Sequence, residues 1–415
     1  MKIFKLLFIL SICLSIFYTS KSQSILPDSL RQLLLPNYSQ TFYKQLNKLR
    51  MMEKEYIGNE RRYFESLAVL NSICGNYQET LQIWSKIDSK NNTEPLDTIQ
   101  FSKYRPVSAK VLLDSIAQSN QIVILNEGHH VPQNRASSMS FLETFYKNGF
   151  RYIALETVKS SDTTLNQRKY PTIEKTGNYV IEPCYGDLVR QALKIGFTVI
   201  PYEYEKMAKK MVEREEGQAD NIISNLFRSN PKAKLLMHVG YSHGIKLEPD
   251  PVMKIAMMGY FLKSKSGIEP FVIGQFNQME KSNQSLESSE YIYATKKYSF
   301  KKPSFFVKED GKLWSNNFFD ASLFLPRSIY KNGRPDWLNW NGGKSEYFLD
   351  LKEVKTQFPF LIQAISNTEL PDGVPTDQIE ISDKNKALLL YSGNYTIRVL
   401  NKAGNMILEK KISIK

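Results

Sequence analysis

A chain of 415 residues with 42% hydrophobic and 12% aromatic residues can build a packed core, which excludes a mainly disordered protein; at roughly 100–200 residues per domain it has room for two or three. Three cysteines exclude a disulfide scaffold, and 20 Gly with 18 Pro exclude a collagen-like repeat. The formal charge of +13 is spread along the chain and interrupted by acids, without a nucleic-acid module, so no nucleic-acid partner is expected.

Residues 1–22 read as a signal peptide. Lys2 and Lys5 supply its positive start, Leu6 to Tyr18 is apolar, and Thr19-Ser20-Lys21-Ser22-Gln23 is small and polar. The apolar run falls short of the ~20 residues that span a bilayer. No later segment is long and apolar enough either. The expectation is an exported protein, periplasmic or extracellular, with no membrane span after signal removal. Of the cysteines left, Cys74 and Cys184 lie in different expected units, and nothing near Cys184 marks it as a nucleophile.

Residues 28–90 predict a helical segment. Phe64, Leu67, Leu70 and Ile73 recur at helical spacing, the Gly75-Asn76 pair breaks the run, and Leu81 and Trp84 resume it. From 105 to 280 the rhythm changes to short apolar runs separated by helix-length stretches: Ile122 to Leu125, Tyr152 to Leu155, Thr198 to Ile200, Leu235 to Met237 and Phe271 to Gly274. That alternation predicts an α/β domain with a mostly parallel sheet flanked by helices. Residues 285–370 are irregular and aromatic-rich and read as a cover. Residues 374–415 hold three strand-like runs separated by Ser392-Gly393-Asn394 and Lys402-Ala403-Gly404-Asn405, a small C-terminal β-module.

The four histidines of the chain carry most of the functional signal, because they fall in two tight groups at strand ends. The first expected strand ends in Asn126-Glu127-Gly128-His129-His130, the second in Glu156 and the third in Tyr202-Glu203. The fourth runs into His238-Val239-Gly240-Tyr241-Ser242-His243. Open parallel sheets bind ligands outside the carboxyl ends of their strands, so these groups converge on one rim. Two chemistries suit them. One imidazole removes a proton from water while a carboxylate orients it and a further cation steadies the oxyanion. Alternatively, Glu127, His129 and His243 or His238 hold one divalent metal ion. Nucleophilic catalysis is not indicated, since no Gly-x-Ser-x-Gly elbow is present.

The same residues resemble a known group, the erythromycin esterase, ChaN, TraB and TIKI-like superfamily. Its Gly-Glu-x-His motif is matched by Asn126-Glu127-Gly128-His129, with Asn126 in place of Gly. Its Gly-Phe before a strand ending in Glu is matched by Gly149-Phe150 and Glu156. Its Arg-acidic helix resembles Arg214-Glu215-Glu216-Gly217-Gln218-Ala219-Asp220-Asn221, and its Gly-x-x-His resembles Gly240-Tyr241-Ser242-His243. The resemblance covers roughly residues 105–280. It implies Glu127, His129, Glu156 and His243 as site residues, with Arg214 in support. His130, Glu203, His238 and Tyr202 are secondary candidates. The expected function is an exported hydrolase that uses water on an ester, lactone or amide of a small molecule or peptide. The alternative is a haem- or iron-binding protein that uses a Tyr or His of the same rim.

Overall fold

The computed structural model describes residues 26–34, 41–88, 96–206, 208, 210–249, 255–316, 318–383 and 386–415. The expected signal segment lies outside the described residues. Among these residues no helix is long and apolar enough to cross a membrane.

Eight strands form the main sheet: β1 (Arg105–Ser108), β2 (Ile122–Glu127), β3 (Phe150–Leu155), β4 (Thr198–Val199), β5 (Lys234–Gly240), β6 (Phe271–Gln278), β7 (Ser304–Val307) and β8 (Ala321–Phe324). Their order is β1-β7-β8-β6-β2-β5-β3-β4. From β8 to β4 every neighbouring pair is parallel, and the β1–β7 and β7–β8 pairs are antiparallel. The α/β class and the five strands read from the sequence are present.

Side-chain alternation explains why both faces are covered. Val123 and Leu125 join one core with Leu155, Leu236 and the helices Ala109–Ser119, Pro132–Lys147 and Pro183–Ile195. Ile122 and Ile124 join a second core with Met237 and the helices Met211–Ile222 and Met258–Ser266. The path runs outward from β2 to β3 to β4, then returns to place β5 between β2 and β3. That insertion sets the carboxyl ends of β2, β5 and β3 side by side.

The remaining segments differ in part from the sequence expectation. The stretch 285–370, expected to be irregular, supplies β7 and β8 to the main sheet. These are four-residue runs whose pairing with β1 and β6 is remote in sequence, so no local periodicity marks them. It also supplies the strand Phe360–Ser366, which lies inside the C-terminal sheet between Asp377–Ile381 and Gly393–Leu400, with Met406–Ile414 at the edge. Leu388–Tyr391 pairs with Lys344–Tyr347 instead of with the strand that follows it.

The helical segment is present as Phe42–Leu49, Glu60–Ile73 and Tyr77–Trp84, preceded by Asp28–Leu34. At its break Gly75 has φ +75°, and a Cβ there would lie 2.6 Å from the Gln378 carbonyl. The β-module is fastened to this break: Glu380 accepts from Arg50 Nη1 at 2.7 Å, Arg50 Nη2 at 2.8 Å, Asn76 Nδ2 at 2.5 Å and Tyr43 at 3.1 Å. Cys74 and Cys184 are both buried and unpaired.

Candidate functional site

Strand parity fixes the first half of the site. Glu127 and His238 share the face of Leu125 and Leu236, so both point at the helix Pro132–Lys147. Arg135, one turn into that helix and 1% exposed, clamps the Glu127 carboxylate through Nε and Nη2, both at 2.8 Å. A third Arg135 nitrogen donates to Glu182 at 3.1 Å. Glu182 in turn caps the helix Pro183–Ile195 by accepting from the Cys184 and Tyr185 amides. Glu127 Oε1 then lies 2.9 Å from His129 Nδ1. Burial by itself would raise the Glu127 carboxyl, but Arg135 and His238 beside it and the bonds from Arg135 and His129 hold it well below the usual range. An ionised Glu127 therefore holds the His129 Nδ1–H, and the Nε2 lone pair faces away from it.

The second half has the same construction. His243 Nδ1 lies 2.7 and 2.9 Å from the two oxygens of Glu215, a fully buried carboxylate that also accepts from the Met258 amide at 2.9 Å. Burial pulls the His243 imidazole down, yet Glu215 and Glu156 beside it win and raise it above its ordinary value. This ring carries its proton further into the neutral range than a free histidine does.

The two imidazoles meet at Glu156. Its Oε1 lies 3.8 Å from His129 Nε2, 3.6 Å from His243 Nε2 and 3.5 Å from Arg214 Nη2, while Oε2 accepts from the Gly240 amide. Arg214 also reaches His243 Nε2 at 3.3 Å and Glu203 at 3.4 Å. The bonds that orient each imidazole are 2.7–2.9 Å, whereas the separations across the cleft are 3.3 Å and longer. Separations of 3.3–3.8 Å admit no atom between the groups, so a water or substrate meets these nitrogens and the Glu156 oxygen from beside them. Arg214 is 32% exposed at its side chain and His243 15%, so the cleft opens on this side.

Local backbone features keep the cleft tight. A Cβ on Gly240 would lie 2.2 and 2.3 Å from ring atoms of His129 and 2.8 Å from Glu156, so only glycine fits. Thr157 and Tyr241, which follow the strand ends, have φ of +70° and +41°, a conformation non-glycine residues rarely adopt and which clusters at functional sites. Tyr179 stacks on the His129 ring at 4.1 Å, and Tyr241 meets it edge-on at 4.9 Å. Trp84, from the helical segment, stacks on His130 at 3.6 Å.

The structure therefore brings Glu127, His129, Glu156, Arg214 and His243 together, with Glu203 accepting from Arg214, Gln218 and the Thr157 amide. Three secondary candidates stand apart. His238 is 1% exposed behind Glu127, and burial, against the pull of Glu127, lowers it to about 4, so it is neutral there. His130 is stacked under Trp84 with Nδ1 3.2 Å from the Tyr241 hydroxyl. Tyr202 is packed into the second core, its hydroxyl buried without a hydrogen-bond partner. Residues absent from the sequence reading as site members are Arg135, Glu182, Glu215, Tyr179 and Trp84.

The metal set Glu127, His129 and His243 does not fit. Glu127 is occupied by Arg135, His243 is turned to a different carboxylate, and the guanidinium of Arg214 already lies among the nitrogens that would bind a cation. Among the described residues no group of three or more His, Cys, Asp or Glu is arranged to hold a metal ion. Two tyrosines of the rim, Tyr202 and Tyr241, are poor candidates for a haem or iron ligand. Burial first, then nearby carboxylates, hold the Tyr202 and Tyr241 phenols well above their ordinary range, against ligation as phenolate.

No family model and no curated protein matches the chain. Among solved structures, the type III effector HopBA1 is 15% identical with a TM-score of 0.28, over 41% of this chain and 85% of that one. RRSP, a MARTX toxin effector domain from Vibrio vulnificus CMCP6, is 10% identical with a TM-score of 0.28, over 74% of this chain and 69% of that one. Likeness of that size carries no argument about reaction or substrate.

Proposed function

We propose that this chain is an exported hydrolase of the erythromycin esterase, ChaN, TraB and TIKI-like superfamily, directing water at an ester, lactone or amide. One observation carries the reading: two carboxylate-backed imidazoles present their Nε2 atoms to the same Glu156 oxygen, at 3.8 and 3.6 Å, beside a half-exposed arginine.

In this scheme His129 Nε2 takes a proton from water as the water oxygen bonds to the substrate carbonyl carbon. Glu127, fixed by Arg135, balances the imidazolium that forms. Arg214 and the His243 ring face the oxygen that gains charge. The tetrahedral species then expels its alkoxide or amine, which takes a proton from an imidazolium. Glu156 holds Arg214 and both rings in register, and none of these steps uses a metal or haem.

The test is hydrolysis of a panel of small esters, lactones and amides by the purified chain and by His129→Ala and His243→Ala. Loss of hydrolysis in both variants, with thermal midpoints retained, supports the reading. Unchanged rates in each refute the assignment of the site.

A further inference from the structure

The C-terminal sheet has two outer edges, and the fold treats them differently. At Asp377–Ile381 the edge is closed against the helical segment: the Glu380 amide donates to the Cys74 carbonyl at 2.9 Å, and the Gln378 side chain donates to the Ile73 carbonyl at 2.7 Å. At Met406–Ile414 the edge is open. That strand pairs with Gly393–Leu400 on one side, and among the described residues no strand lies on its other side. Alternate residues along an edge strand turn their N–H and C=O groups outward, and this one runs for nine residues without a proline. A long open edge is a template for a further strand.

The side chains say which strand fits. On the inner face Leu408, Ile412 and Ile414 rest on the module core but stay partly exposed, and Met406 is 55% exposed. The outer face presents Ile407, Glu409, Lys411 and Ser413, all exposed. Lysines on an edge often guard it against pairing, but these two are placed otherwise. Lys410 is drawn to Glu353 of its own chain, at 2.7 and 2.8 Å. Lys411 sits two residues from Glu409 on the same face, which makes the strand complementary to itself. When two copies pair antiparallel about Lys410, Glu409 of each lies opposite Lys411 of the other, Leu408 opposite Ile412, and Met406 opposite Ile414. Sliding the register by two residues sets Glu409 against Glu409 or Lys411 against Lys411, and sliding it by one puts apolar against polar faces. Arg398, 3.0 Å from Glu409 in the neighbouring strand, extends the alternation of charge across the seam.

We propose that Met406–Ile414 is a self-association edge, which joins two copies of this chain antiparallel into one continuous sheet. The pairing is isologous and uses both open edges, while the opposite edge of each module is closed, so assembly stops at the dimer. The seam is a single strand pair, at the small end of protein interfaces below about 1,200 Å², and the association is reversible and weak. The inference does not depend on the hydrolase reading.

Sedimentation velocity of the purified full chain, at low salt over a roughly hundredfold range of concentration, tests it; a monomer–dimer equilibrium is expected. Glu409→Lys and Lys411→Glu each set two like-charge pairs into the seam and should weaken self-association roughly tenfold or more. Both side chains are exposed, so thermal midpoints should stay near that of wild type. Mixed in equal amounts, the two variants complement each other charge for charge in this register, and the dimer should return. That rescue separates the proposed seam from any general effect of charge or folding. A monomer at every concentration overturns the proposal, as does a dimer that either variant keeps by itself. Variants that stay apart on mixing, or wild-type assembly that runs past the dimer, overturn it as well.

Discussion

Arg135→Met is the perturbation that reaches furthest into the site. Wild-type Arg135 gives two 2.8 Å bonds to Glu127, one of 3.1 Å to Glu182 and one of 3.1 Å to the His129 carbonyl, all buried. Methionine fills much of the volume and supplies none of these. Glu182 keeps the Cys184 and Tyr185 amides, but Glu127 keeps only His129 Nδ1, with His238 at 3.6 Å. Removing one partner of such a buried pair costs about 3–5 kcal/mol. The pH dependence follows from the sign of the Glu127 shift. Its folded carboxyl is depressed, so its stabilisation is present above the unfolded value of about 4.3 and is lost as pH falls through the folded value. Without Arg135, burial raises the carboxyl, so the gap between wild type and variant should narrow as pH falls from the variant's raised value toward the depressed wild-type one. Denaturant unfolding followed by tryptophan fluorescence, with Glu127→Gln and the double variant to close a cycle, measures this. A coupling of about 1–3 kcal/mol is expected. A cost below about 1 kcal/mol at pH 7, or strict additivity, would refute the idea that Arg135 holds Glu127 ionised.

Gly240→Ala should cut hydrolysis by about 100-fold, the effect of an ångström-scale displacement of a reacting group, with the fold retained; steady-state kinetics beside a circular dichroism melt check it, and an unchanged rate is the contrary result. The His243 ring should titrate above the ordinary value of about 6.5, and Glu215→Gln should bring it down, as read by NMR. The stabilisation from this raised group is fully present below about pH 6.5 and is lost as pH rises through the folded value, so the alkaline limb of wild-type stability should flatten in Glu215→Gln. Dialysis against a chelator should leave hydrolysis unchanged, since the metal set does not fit.

Much of the sheet was legible because its central strands are buried on both faces. Runs such as Ile122-Val123-Ile124-Leu125 leave no polar position for a surface, and their carboxyl ends then state where the chemistry belongs. Glu127 and His129 could be paired from their two-residue spacing alone. The strand order could not be read: nothing local says that β5 enters between β2 and β3, yet that insertion brings Glu156 to both imidazoles. Arg135 and Glu182 escaped notice for a related reason, since their pairing joins two helix starts that are remote in sequence. A signal was present in Asn134-Arg135-Ala136-Ser137-Ser138, a polar stretch whose every member is buried, but burial of polar residues becomes visible only in the fold. Glu215 was within reach, as the acid beside Arg214. Trp84 was not, because its stacking on His130 depends on how the helical segment lies over the sheet.

The most direct measurement is hydrolysis of the ester, lactone and amide panel by wild type, His129→Ala and His243→Ala, each checked by its thermal midpoint. The account predicts a measurable wild-type rate that falls by about 10²- to 10⁴-fold in each variant without loss of the fold, the range for removal of a positioned acid or base. A wild-type rate that both variants keep would contradict it.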